Sequence, residues 1–135
     1  MKLKTTSIYV FWGRKLLLIE RTPNDTNLPG FWEAPAGHVD CACPIGDSQI
    51  ARREALRELF EETGLHISNL DLRFLPQYSS NTHSTYLTRI SSKTNIPIRL
   101  SHEHTRYVWI NPMRALKIQK LRPEVRQFLR DYTHE

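Results

Sequence analysis

Arg57-Glu58-Leu59-Phe60-Glu61-Glu62-Thr63-Gly64-Leu65 closes the clearest helical pattern in the chain and puts three carboxylates into five residues. A helix advances about 100° per residue, so Glu58, Glu61 and Glu62 are neighbours at i, i+3 and i+4, with Glu54 one turn earlier on the same side. Like charges at this spacing destabilise a bare helix by about 0.2–0.5 kcal/mol per pair. A bound cation reverses that sign. Hard ions such as Mg²⁺ favour clustered carboxylate oxygens and retain water positions that substrate phosphates can take. The alternative, a solvated acidic helix face, is common in Glu-rich helices. Two neighbours weigh against it here: the turn Pro35-Ala36-Gly37-His38-Val39-Asp40 lies upstream, and Gly64 stops the helix at once.

Working outward, the helix is predicted over 48–63, capped by Asp47 or Ser48 and closed by Gly64. Its apolar arc is Ala51, Ala55, Leu56, Leu59 and Phe60, beside the Glu arc. Thr5 to Phe11 and Lys15 to Glu20 are β-rich runs around Trp12-Gly13-Arg14, a hairpin signal. Residues 23–30 read as loop and 31–36 as a short strand into the Pro-x-Gly turn. Leu70 to Tyr78 and Ser84 to Ile90 read as strands, and Tyr107 to Ile110 as a late strand. Asn111-Pro112 signals a short helix. Pro123 starts a final helix in which Val125, Phe128, Leu129 and Tyr132 recur at i, i+3, i+4 and i+7.

The segment from Gly37 to Leu65 resembles the signature of the Nudix hydrolase family. Every fixed position of the second half of the family box is matched from Arg57 to Leu65, and Gly37 corresponds to its opening glycine. The first half departs from the pattern: six residues are extra between Gly37 and Arg57, and the family's first Glu falls on Gln49, with Asp47 the nearest acid. Cys41 to Ile45 reads as an expanded loop. The resemblance implies an α/β fold, a mixed β-sheet sandwiched between α-helices (α/β/α), as one domain across residues 1–135. It implies a metal-dependent pyrophosphohydrolase of nucleoside triphosphates or other nucleoside diphosphate-linked substrates, with Mg²⁺ or Mn²⁺ as cofactor. Glu58, Glu61, Glu62 and the carbonyl of Ala36 would be the metal ligands. Arg57 would orient a box carboxylate, Glu58 or Glu103 would be the general base, and Arg21 would contact substrate phosphates. Alternatives within the same resemblance are a nucleotide-binding or regulatory module with little catalysis, an RNA 5′-end pyrophosphohydrolase, and an isomerase of the isopentenyl diphosphate type, prompted by Cys41 and Cys43.

Composition bounds the rest. The 135 residues suit one domain with one core, and 39% hydrophobic with 24% charged content is ordinary for a globular chain. No apolar run approaches the ~20 residues a bilayer span needs, and Leu16-Leu17-Leu18-Ile19 is far too short. Met1-Lys2-Leu3-Lys4 lacks the apolar stretch of a secretion signal, so a cytoplasmic location is expected. The net charge of +5 suits a small polyanion, a nucleotide or nucleic acid alike. Cys41 and Cys43 are expected as free thiols. Phe31, Trp32, Phe74 and Tyr78 are candidates for base stacking, with core packing the competing role. His102 and His104 are expected to line the loop around Glu103, and homodimerisation is compatible with the family.

Overall fold

The computed structural model describes residues 4–39, 46–92 and 94–134. The expanded loop with Cys41 and Cys43 therefore lies outside the described residues. Seven strands form one mixed sheet: β1 (Thr5–Trp12), β2 (Lys15–Arg21), β3 (Trp32–Glu33), β4 (Ala36–His38), β5 (Arg73–Phe74), β6 (His83–Ile90) and β7 (His104–Ile110). Three helices accompany it: α1 (Gln49–Thr63), α2 (Pro112–Ala115) and α3 (Pro123–Thr133).

The layers follow from alternation along the strands. Tyr9, Phe11, Leu16 and Leu18 pack in one cluster with Val125, Phe128 and Leu129 of α3. Ile8, Val10, Leu17 and Ile19 pack in a second cluster with Ala55 and Leu59 of α1. Successive side chains point to opposite faces, and a sheet covered on both faces needs apolar residues on both. That is why residues 16–19 read as a continuous apolar run.

The hairpin forms around Gly13 (φ 60°), but β1 and β2 pair only at Phe11–Leu16 and Trp12–Lys15. Beyond that they diverge, and the opening is filled from both sides: β3 pairs with β2 through Ile19–Glu33 and Glu20–Trp32, and β4 pairs with β1 through Ser7–Ala36, Thr6–Gly37 and Thr5–His38. The single strand expected over 31–36 is thus two, broken around Pro35, which has no amide to donate to a ladder. The divergence sets Glu33 and Ala36-Gly37 in mid-sheet. On its other edge β1 runs parallel to β6 along its full length.

α1 starts where expected: the Ser48 hydroxyl accepts from the Ala51 amide at 3.0 Å, and Gly64 (φ 77°) bonds back to the Phe60 carbonyl. The strand expected over 70–78 shrinks to Arg73–Phe74, flanked by 3₁₀ turns at Asn69–Asp71 and Pro76–Tyr78. The Ser68 hydroxyl caps the first turn and Pro76 opens the second, so local side-chain bonding displaces ladder pairing. The late strand begins earlier than expected, at His104, because β2 offers it a partner as far as Arg21. Among the described residues no helix is long and apolar enough to cross a membrane.

Candidate active site

The carboxylates of α1 meet the sheet at β4. The Glu62 side chain is buried and accepts a hydrogen bond from the Ala36 amide at 2.9 Å. Gly37 lies directly against Glu58: a Cβ on Gly37 would stand 2.1 Å from the Glu58 carboxyl carbon. The φ of Gly37 is not in the left-handed region, so glycine is required here by close approach and not by backbone strain.

Arg57 gathers the rest of the acidic face. Its guanidinium bonds Glu54 at 2.6 Å, Glu61 at 2.8 Å and Glu58 at 3.1 Å. Glu61 is the most exposed of the three box carboxylates and is turned onto Arg57. Burial pushes the Glu58 pKa up, and Glu61, Glu103 and Glu54 add to the rise against the pull of Arg57. Glu62 is pushed up to about 9, by burial first; the Ala36 amide opposes this, and Glu33, Glu58 and Glu103 reinforce it. Glu103 sits in the turn before β7, where its carbonyl accepts from the Thr22 amide. Its charge acts on both Glu58 and Glu62 although it is distant in sequence.

A cavity of about 630 Å³ opens on the α3 side of the sheet. Ala36 and Gly37 line it beside Glu33 and Arg21; Thr5, Ser7, His83 and Thr85 line it from β1 and β6, and Arg122 and Glu124 from the start of α3. This volume suits a nucleotide-sized ligand. Arg21 is held by Asp25 at 2.7 Å and by Glu33 at 3.1 Å.

Sequence reading missed a second group. Glu33 is buried and accepts from Arg21, from Arg122 at 3.3 Å and from Nε2 of His104 at 2.8 Å. His104 is therefore a buried strand residue and not part of the loop surface as expected; its Nδ1 is buried without a partner. The available signal was weak: Glu33 precedes the turn by two residues, but its three partners come from distant segments. Of the aromatic candidates, Tyr78 lines the cavity, Phe74 packs on Tyr86, and Trp32 packs against the α3-side core beneath Arg106.

Among the described residues, no three His, Cys, Asp or Glu side chains are drawn together into a preformed metal cage. The donor set nonetheless fits a hard divalent ion. Glu58, Glu61, Glu62 and the Ala36 carbonyl are all oxygen donors, and the charges of Glu33, Glu58 and Glu103 act on Glu62.

Comparison with known proteins accords with this arrangement. The model of the NUDIX domain matches residues 1–132. The mouse asymmetrical bis(5′-nucleosyl)-tetraphosphatase is 30% identical over 99 residues, covering 67% of this chain and 63% of the mouse protein. The match thus spans less than two thirds of that relative's length. A Caenorhabditis elegans Ap4A hydrolase, solved as a binary complex, superposes with a TM-score of 0.67 at 22% identity, covering 97% of this chain and 96% of that one. A bifunctional NMN adenylyltransferase/ADP-ribose pyrophosphatase from Francisella tularensis, solved with AMP and a manganese ion, gives a TM-score of 0.70 at 16% identity over 99% of this chain and 42% of that one. At these identities the structural likenesses speak for the fold.

Proposed function

The chain belongs to the Nudix family, and on that premise we propose that it is a divalent-cation-dependent pyrophosphohydrolase of a nucleoside triphosphate or another nucleoside diphosphate-linked substrate. The observation that carries this reading is the convergence of Glu58 and Glu62 on the Ala36-Gly37 backbone, the same backbone that lines the cavity.

Glu58, Glu61, Glu62 and the Ala36 carbonyl would hold Mg²⁺ or Mn²⁺. When bound, the ion supplies neutralisation of phosphate charge and acidifies water. The chain's own residues do the rest. Arg57 restrains Glu58 and Glu61 by its bonds to both. Arg21, held from behind by Glu33 and Asp25, lies in the cavity wall where phosphates would pass. Glu58 or Glu103 accepts the proton of the attacking water. Water adds to one phosphorus, the bridging P–O bond breaks, and the second phosphate-bearing fragment leaves.

The test is a substrate panel with Mg²⁺ or Mn²⁺, products resolved by chromatography. Diadenosine tetraphosphate is included first because of the mouse relative. Nucleoside and deoxynucleoside triphosphates, ADP-ribose and 5′-triphosphate RNA complete it. Cation-dependent cleavage of one class far above the others is expected. Failure to cleave any of them would overturn the hydrolase reading in favour of a nucleotide-binding module.

A further inference from the structure

The α3-facing side of β1 changes character at one point. Tyr9 and Phe11 are core, whereas Thr5 and Ser7, on the same face, border the cavity. β6 repeats the change: Leu87 is core, whereas His83 and Thr85 border the cavity. The parallel register sets Thr5 beside His83 and Ser7 beside Thr85. The result is a floor of three hydroxyls and one imidazole where the sheet would otherwise be apolar.

Donor and acceptor roles in this floor follow from one end. The Thr85 hydroxyl donates to the Tyr78 carbonyl at 2.6 Å, so its oxygen can only accept from its other neighbours. Ser7 donates to it at 3.5 Å, the outer edge of a hydrogen bond. With its proton spent there, Ser7 accepts from His83 Nε2–H at 3.0 Å, which selects one of the two neutral tautomers of the ring. The remaining ring nitrogen, Nδ1, is left as an acceptor and takes the Thr5 hydroxyl proton at 2.6 Å. Every proton is thereby committed within the floor, and the hydroxyl oxygens of Thr5 and Ser7 keep lone pairs to offer. Burial pushes the His83 pKa down from its ordinary value, which favours the neutral ring this assignment uses.

We propose that the Thr5–His83–Ser7 floor recognises a hydrogen-bond donor, the exocyclic amino group of a nucleobase, and so makes the cavity selective for amino-bearing over oxo-bearing nucleotides. This rests on the cavity being the nucleotide site proposed above. β6 and β4 flank β1 on opposite edges, so Thr5 and Ser7 lie one strand spacing, about 5 Å, from the Ala36-Gly37 strand, and His83 lies two, about 10 Å. The His83 end, the farther one, leaves room for a sugar between base and phosphates. An oxo group would set oxygen against oxygen and leave a buried polar pair unbonded, which weakens its binding.

Calorimetric binding of AMP against IMP tests this without turnover. The two share sugar and phosphate and differ at position 6, amino or oxo, and at the adjoining N1, which carries a proton only in IMP. AMP is expected to bind at least tenfold more tightly, and CMP over UMP should show the same preference. Thr5→Val and His83→Gln should each bring the AMP/IMP ratio towards one. Equal affinity of the wild-type chain for AMP and IMP overturns the proposal, since any binding would then come from the shared ribose and phosphate. Binding preference with no cleavage in the substrate panel would instead remove the hydrolase reading and leave this one standing.

Discussion

Glu33 and Glu62 are the same residue type, each 5% exposed, on neighbouring elements of one site, and they live in opposite electrostatic surroundings. Glu33 is encircled by Arg21, Arg122 and His104. Glu62 has one backbone amide, and the charges of Glu33, Glu58 and Glu103 act against its ionised form. Burial alone therefore says nothing about what a carboxylate does. The protein compensates Glu33 internally, which makes it a strut. Burial keeps Glu62 protonated near neutral pH, and a cation would have to take the place of that proton.

Four perturbations would break or sharpen that contrast. The largest effect is expected for Glu62→Gln. Losing a ligand oxygen should lower cation-dependent kcat by about 10³-fold, in the range found when one electrostatic contact to the transition state is removed. The cation-free fold should be retained, because a neutral amide replaces a carboxyl that burial already keeps protonated. Near-normal turnover would remove Glu62 from the site.

Glu33→Gln should act the other way, on stability first. Breaking a buried ion pair on one side leaves uncompensated charge and costs roughly 3–5 kcal/mol. Arg21 and Arg122 keep partial solvent contact, so about 3 kcal/mol is expected by denaturant unfolding. A loss of activity with unchanged unfolding midpoint would contradict the strut role.

Gly37→Ala separates geometry from stability. The added methyl would collide with the Glu58 side chain, whose Cδ, Cγ and Oε2 are its three nearest neighbours. Turnover should fall on the order of 100-fold, as expected for a misplacement of about 1 Å, while the melting temperature should barely move. Equal losses in both would mean that Gly37 serves packing.

The fourth perturbation is pH. The folded-state pKa of Glu62 is raised from 4.5 to about 9. The folded state therefore holds a proton that the unfolded chain gives up near 4.5, and this contribution to stability is full below that value. It is lost progressively as pH rises towards 9. Melting in chelator should drop across this window, and saturating Mg²⁺ or Mn²⁺ should flatten or reverse the slope. An identical slope with and without cation would argue that the ion does not engage Glu62.

Much of this molecule is local and hence readable in one dimension. The i, i+3, i+4 carboxylates, the Ser48 cap, the Gly64 stop and the Pro123 start are each decided within a turn or two of chain. Resemblance to a family box added the partner turn at Pro35-Ala36-Gly37. The readings that failed were the ones in which local and distant partners compete. Residues 70–78 carry strand-forming side chains, yet Ser68 and Pro76 turn the flanks into 3₁₀ helix and leave only Arg73–Phe74 paired.

Sequence by itself determined the family, the carboxylate-bearing helix and the alternation that covers the sheet on both faces, because spacing and capping act over a few residues. Tertiary structure alone decided that residues 21, 33, 104 and 122 share one buried charge and that residues 5, 7, 83 and 85 make one hydrogen-bonding floor. Those groupings depend on the divergence of β1 from β2 and on the parallel register of β1 with β6. Register is a property of the whole packed sheet, so no single stretch of this chain encodes it.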